Sequence, residues 1–356
     1  MRAPRQTGRM IPTVTAVRMT LARHRAELPL LVLGPALGTS GATLWSACAA
    51  HLTDAFDVLA WDLPGHGHNR PAPEEGFDLA ELAAGVLRIV DDVVADRGEP
   101  RGSFLYAGDS VGGAVGLQLL LDAPDRVSAA ALLCTGARLG TAESWAERIA
   151  QVRASGTAGQ VPAATERWFA DGLLDREPER GTALLRALQD TIDDGYVQVC
   201  DALAGFDVRE RLSEVGAPVL AIAGSADVVT PPALLQELAD GVQRGTYAEL
   251  DGVAHLAAAE APAEVARLLR RHFLGEREEE AAIDDPGLDD RTRSIVTLTA
   301  LVASGRYEEL AAGVRVALGD GLDGPEVLAV LRQAAADSGR AAEPALGVAQ
   351  QVLAED

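Results

Sequence analysis

Short apolar runs bounded by Pro, Gly and polar residues set the rhythm of the first part of the chain. TVTAVRMTL and PLLVL (within 13–34), FDVLAWD, SFLYAGD and SAAALLC each have strand length, and their unbroken apolar character suits strands covered on both faces of a parallel sheet. Between them, LAELAAGVLRIVDDVVA (79–95) and the stretch after GDSVGG carry apolar positions at helical spacing. Strands alternating with helices predict an α/β fold. From residue 136 to 206 the strand pattern stops and only helical patterning remains, as expected of a helical cap inserted into the fold. The alternation resumes with APVLAIAGSAD and GTYAELDG and closes on the helix APAEVARLLRRHF. Core segments are therefore expected at 13–135 and 207–275, after a short tail at 1–12.

GEREEEAAIDDPG then breaks the pattern, and residues 276–288 read as an acidic linker. Helical spacing returns at 289–356. Ile295, Leu298, Leu301 and Val302 share one face, Tyr307, Leu310, Val314 and Leu318 share another, and Pro325 sits where a helix would start. A helical unit this small buries little surface alone, so it is expected to dock or to form a homo-oligomer.

Charge and composition remove several functions. The 31 basic residues are all Arg, which excludes chemistry that needs a lysine amine, including Schiff-base catalysis and a P-loop. With 53 acidic residues the net charge is 31 − 53 = −22, which argues against nucleic acid or an anionic membrane as partner. No apolar run reaches the roughly 18 residues of a membrane span. The N-terminus MRAPRQTGRMIP lacks the apolar segment of a secretory signal. Cys48, Cys134 and Cys200 form neither a disulfide framework nor a metal-ligand spacing, so a reducing cytoplasmic setting and no metal or cofactor are expected.

The chemistry concentrates at Gly108-Asp109-Ser110-Val111-Gly112, a G-x-S-x-G pattern that follows an apolar run and opens a helix. That strand–turn–helix context is what a nucleophile elbow requires. A Ser hydroxyl needs a base, and in this arrangement an acid and then a His follow in the chain. Of the six His (24, 51, 66, 68, 255 and 272), only His255 and His272 come late enough, and His272 sits on a charged helix end. His255, in GVAHLAAAE, is the expected base. Asp227, in a loop after the strand APVLAIAGS, is the expected acid, with Asp251 as the alternative. An oxyanion would need N–H donors from Val111 and from the loop 34–39, where Leu37 is preferred over Ala36. His66, in DLPGHGHNRP, suits a structural loop role better than a catalytic one.

With these residues in place, 20–275 resembles an α/β-hydrolase of the 3-oxoadipate enol-lactonase group. LGPALGTSGATLW, WDLPGHGHN, AGDSVGGAVGLQLLLDAPDRV, TGARLGTAESW, ERWF, AGSADVVTPP and GVAHLAAAEAP carry the likeness. The tail LDDRTRSIVTLTALVASGRYEELAAGVRVALGDGL is similar to 4-carboxymuconolactone decarboxylase domains. Fusions of the two belong to the protocatechuate branch of the 3-oxoadipate pathway, where they act on consecutive intermediates. The tail departs from the family pattern at Gly313, where a His is usual, at Ala329, where a Glu is usual, and at Asp337-Ser338-Gly339-Arg340, which replaces Y-C-G-x-P. A vestigial or structural tail is therefore expected.

The resemblance implies a small anionic lactone as substrate, opened to 3-oxoadipate. Its carboxylate would need a local cation. Arg138 is the first candidate and Arg167 the second, with Trp145 and Trp168 as an apolar wall. The competing readings are a carboxylesterase or another lactonase on the same fold, or a non-catalytic ligand receptor with an oligomerising tail.

Overall fold

The strand-like runs line up as one sheet in the computed structural model, which describes residues 10–20, 28–73, 75–98, 102–275, 289–338 and 341–355. Most of the tail 1–12, His24, the linker 276–288, Gly339 and Arg340 lie outside the described residues. The strands are β1 (Thr15–Arg18), β2 (Leu30–Gly34), β3 (Asp57–Asp62), β4 (Phe104–Asp109), β5 (Val127–Leu133), β6 (Val219–Gly224) and β7 (Gly245–Leu250). Their spatial order is β1-β3-β2-β4-β5-β6-β7. All neighbours run parallel except β1, which lies antiparallel along β3 with Thr15 opposite Asp62. β2, β3 and β6 are buried along their whole length, which explains why they read as continuous apolar runs.

Helices cover the sheet. α1 (Gly41–Ala49) is capped by Ser40, which accepts from Thr43 N–H. α2 (Leu79–Asp96) starts with a capping box between Asp78 and Glu81. α3 (Val111–Asp122) is buried over residues 111–120, as befits a helix leaving the middle of the sheet. Between β5 and β6 the chain forms α4 (Ala142–Ser155), α5 (Val161–Trp168), α6 (Leu173–Arg176), α7 (Pro178–Gln189) and α8 (Asp193–Ala204). α9 (Pro232–Gly241), α10 (Ala257–Glu260) and α11 (Pro262–Leu274) complete this unit, which ends at Gly275.

A second compact unit begins at Glu276 and is helical: α12 (Asp290–Ser304), α13 (Tyr307–Gly319), α14 (Gly324–Asp337) and α15 (Glu343–Glu355). Leu298, Leu301, Val302, Leu310 and Val314 are buried in its core, with Ile295, Tyr307 and Leu318 packed at the edge. α14 starts one residue before Pro325, under a capping box made by Asp323 and Glu326. No helix among the described residues is long and apolar enough to cross a membrane. Cys48, Cys134 and Cys200 are buried and unpaired.

Candidate active site

β4 ends at Asp109 and α3 begins at Val111, so Ser110 makes the whole turn between strand and helix. Its φ of 55° and ψ of −116° cost about 1–3 kcal/mol for a residue with a Cβ, so the surroundings must hold it there. Ser110 N–H donates to Leu133 O at 2.9 Å, and Thr135 Oγ1 donates to Ser110 O at 2.7 Å. The flanking glycines leave no alternative. A Cβ on Gly108 would lie 2.4 Å from Gly112 C, and one on Gly112 would lie 2.6 Å from Gly34 C. The start of α3 is thereby pressed against β2 and the loop that follows it.

The turn brings Ser110 Oγ to 3.0 Å from His255 Nε2, and His255 Nδ1 to 2.9 Å from Asp227 Oδ2. This spacing sets the tautomer: Nδ1–H donates to Asp227, which leaves Nε2 free to accept from the serine. Asp227 is itself held on four sides. Oδ1 accepts from Val229 N–H (2.7 Å) and Thr230 N–H (3.0 Å), and Oδ2 accepts from Thr230 Oγ1 (2.6 Å) as well as from the ring. Burial pushes the Asp227 carboxyl up, but the His255 charge and the hydrogen bonds from His255 and Thr230 together hold it below the usual carboxylate value. Asp251, the alternative acid, is exposed and accepts from Ser225 Oγ at 3.3 Å, away from the ring.

The histidine segment is tied to its surroundings by backbone. His255 N–H donates to Trp168 O at 3.2 Å. Glu260 accepts from Ala254 N–H at 3.0 Å and from Ala170 N–H at 3.1 Å, linking the end of α5 to the residue before His255.

The backbone N–H groups of Leu37 and Val111 have no acceptor among the described residues. Val111 opens α3, where no preceding turn can supply a carbonyl. Gly112 N–H donates to Pro35 O at 2.9 Å and Trp45 Nε1 donates to Gly34 O at 2.9 Å, so the loop bearing Leu37 is fixed beside the elbow. Two free donors near a serine hydroxyl can receive an oxyanion.

Ser110 forms the floor of a cavity of about 150 Å³, whose walls include Leu37, Leu139, Trp145, Arg148, Leu203 and Val229. Its volume is below the roughly 300–1,000 Å³ of sites for drug-sized molecules, so it suits a small ligand. A larger hollow of about 590 Å³ beside Arg153 and Asp201 is lined by no Ser, Cys or His.

The predicted cations distribute differently. Arg138 is exposed, next to the charges of Glu143 and Asp207, and does not line the cavity. Its neighbours Ala137 and Leu139 are both buried, and in an extended segment that alternation turns Arg138 to solvent. The guanidinium at the cavity is Arg148, one turn along α4 from Trp145. Trp145 does line the cavity, with its Nε1 donating to Leu139 O at 2.6 Å. Trp168 does not. Its ring packs against the Gly38 backbone and its carbonyl holds His255 N–H, so it backs the site. Arg167 is half-buried outside the cavity wall. Burial and then the Arg148 charge lower its pKa, and it has no ion pair among the described residues.

Asp109, adjacent to Ser110, was not singled out from sequence. It is fully buried, and no hydrogen bond of ordinary geometry reaches either carboxyl oxygen among the described residues. Burial and then the Asp227 charge push it well above the usual carboxylate value, against a weaker pull from the Ala257 and Ala258 N–H groups. Burial therefore disfavours the charged form of Asp109, the residue before Ser110.

Comparison with known proteins gives the family of the chain. The family model of the alpha/beta hydrolase fold matches residues 29–262, and the carboxymuconolactone decarboxylase family model matches 263–351. The second match takes in α11, which packs with the first unit. The chain is 31% identical over 238 residues to 3-oxoadipate enol-lactonase 2 of Acinetobacter baylyi, covering 67% of this chain and 86% of that protein. It is 32% identical over 202 residues to 3-oxoadipate enol-lactonase 1 of the same organism, covering 57% and 73%. The crystal structure of the enol-lactonase from Burkholderia xenovorans LB400 superposes with a TM-score of 0.68 at 29% identity, over 74% of this chain and 96% of that one. The chain is a hydrolase of the α/β-hydrolase family, related to 3-oxoadipate enol-lactonases and extended by a carboxymuconolactone decarboxylase family domain.

Proposed function

We propose that this hydrolase opens 3-oxoadipate enol-lactone to 3-oxoadipate, with Ser110, His255 and Asp227 as its catalytic triad. The observation that carries the reading is the Ser110–His255–Asp227 relay, with contacts of 3.0 and 2.9 Å, at the floor of a small cavity that holds one guanidinium. His255 Nε2 takes the Ser110 proton as Oγ attacks the lactone carbonyl. The tetrahedral oxyanion is received by Leu37 N–H and Val111 N–H. Its collapse breaks the ring C–O bond and expels an enolate, which takes the proton from His255 and tautomerises to the ketone. Water, activated by the same ring, then releases the acyl group from Ser110. Direct attack of water assisted by His255 gives the same product.

The net charge of −22 does not bar an anionic substrate, because charges beyond about 8 Å are screened at physiological salt. Arg148 is the local cation. It makes no ion pair among the described residues, so it is available to a substrate carboxylate. The relatives' lactone chemistry and the protocatechuate branch of the 3-oxoadipate pathway give the function its setting.

The second unit is, on this reading, a vestigial or structural module. Position 313 packs its glycine on Leu298 and Leu301, and Ala329 is exposed. Neither offers the acid that decarboxylation needs to protonate the carbanion left by departing CO₂. Ser294, its one buried polar residue among those described, donates to Asp320.

Labelling by a fluorophosphonate tests the serine. The wild-type protein should react and Ser110→Ala should not. A wild-type protein that stays unlabelled would favour a ligand receptor over an enzyme.

A further inference from the structure

The motif DLPGHGHN is not used by the relay, yet its Asp62–His66 stretch and Asn69 are buried, and Pro64 and Gly65 sit against the start of α8. His66 is fully enclosed, with Nδ1–H donating to Pro64 O at 2.8 Å. Burial, more than anything else, lowers its pKa to about 4, so the ring is neutral. The ring lies over Tyr196, with centroids 6.2 Å apart and planes at 15°. Backbone fastens the same contact. Ile192 N–H donates to Gly65 O at 2.8 Å, and a Cβ on Gly195 would lie 2.5 Å from Pro64 O. Gln198 Nε2 adds a hydrogen bond to Pro73 O. The first turns of α8 therefore cannot shift without moving the loop after β3.

Tyr196 carries this rigidity to the cavity. Its hydroxyl, 2% exposed with the rest of the residue, accepts from Arg148 Nη1 at 3.3 Å. Arg148 has no other hydrogen bond among the described residues and sits within the field of Arg167, a like charge whose own pKa it depresses. A long, half-exposed side chain facing a second guanidinium would turn to solvent if nothing held it. Burial and then Cys200 push the Tyr196 hydroxyl up to about 12, so it stays a neutral acceptor.

We infer that Tyr196, seated on the His66 loop, is a positioning residue that holds Arg148 at the cavity and so sets the preference of this hydrolase for carboxylated substrates. The inference rests on the reading of the Ser110 cavity as the hydrolytic site and of Arg148 as its carboxylate clamp. Tyr196 touches no substrate; it acts only through Arg148.

Two esters separate the roles: the 4-nitrophenyl monoester of succinate and 4-nitrophenyl butyrate, which carries a methyl in place of the carboxylate. The quantity read is the ratio of their kcat/KM values in wild type, Tyr196→Phe, Arg148→Ala and the double variant. Phe keeps the ring on His66 and removes only the hydroxyl. Tyr196→Phe should lower the ratio about fivefold, the usual weight of one hydrogen bond, through KM for the carboxylated ester. Arg148→Ala should lower it by about tenfold or more. The double variant should match Arg148→Ala, because the hydroxyl has nothing left to hold. A merely structural tyrosine would change both esters alike or lower the ratio further in the double variant, and either result overturns the inference. An Arg148→Ala ratio equal to that of wild type would overturn the clamp reading itself, and with it this inference. Fluorophosphonate labelling of Tyr196→Phe at the wild-type rate shows that the fold and Ser110 are intact.

Discussion

Replacing Asp227 by Asn changes one atom, and the structure dictates which way the new amide must face. Oδ1 accepts from two backbone N–H groups, Val229 and Thr230, at 2.7 and 3.0 Å. An amide nitrogen placed there would oppose two donors, so the carbonyl oxygen of the substituted side chain must keep that position. The NH₂ group then occupies the place of Oδ2, facing His255 Nδ1 at 2.9 Å and Thr230 Oγ1 at 2.6 Å. As a donor it can be satisfied by the ring only if Nδ1 loses its hydrogen, which moves the proton to Nε2. Nε2 can then no longer accept from Ser110 Oγ at 3.0 Å. The wrong tautomer in such a triad costs about 10⁴-fold in kcat. The rate should be followed with 4-nitrophenyl butyrate, which needs no carboxylate clamp, alongside a thermal melt. Asp227→Asn should keep a melting temperature close to that of wild type while kcat falls by about 10⁴-fold. A loss under about tenfold with the fold intact would refute the assignment of Asp227 as the acid of the relay. Asp251→Asn, on the exposed side chain, should leave kcat unchanged.

Gly112→Ala should be costly, because its Cβ would lie 2.6 Å from backbone carbon of Gly34 and neither chain can yield; about 1–3 kcal/mol is expected from thermal melts, with reduced fluorophosphonate labelling as Val111 N–H shifts. Gly319→Ala, which meets nothing within 4 Å, should stay within about 0.5 kcal/mol of wild type. Burial raises the Asp109 pKa, so this group's own contribution to stability is fully present below about pH 4 and is lost as pH rises through the raised folded value, with Asp227 and Cys134 as the neighbouring acids. Asp109→Asn does not titrate, and its melting temperature relative to wild type should rise with pH above about pH 4; a constant offset would show that the Asp109 pKa is not raised in the native protein. The full-length chain should release no CO₂ from 4-carboxymuconolactone, and turnover would remove the vestigial reading of the helical unit.

Much of the α/β architecture was legible because its strands are buried on both faces and read as unbroken apolar runs, β2, β3 and β6 above all. The antiparallel direction of β1 was not, since a four-residue edge strand carries no pattern that records its partner. Ser110, Asp227 and His255 were legible because a strand-to-helix turn and the order of residues along the chain constrain them before any packing is known. Arg148 was missed because helix phase decides which side chains of α4 face the cavity. The signal was available: Trp145 and Arg148 are three residues apart and share a helix face. Thr230 and Tyr196 act through partners distant in sequence, His255 and His66, and only the folded chain brings these together. Asp109 followed the same rule in reverse, since a charged residue type gave no hint that it would be enclosed.

The central claim is that Ser110 opens an anionic enol-lactone, and the decay of the ultraviolet absorbance of 3-oxoadipate enol-lactone measures it directly. Wild-type protein should convert the lactone to 3-oxoadipate at a rate that Ser110→Ala abolishes. Equal decay with wild type, Ser110→Ala and buffer alone would contradict the account.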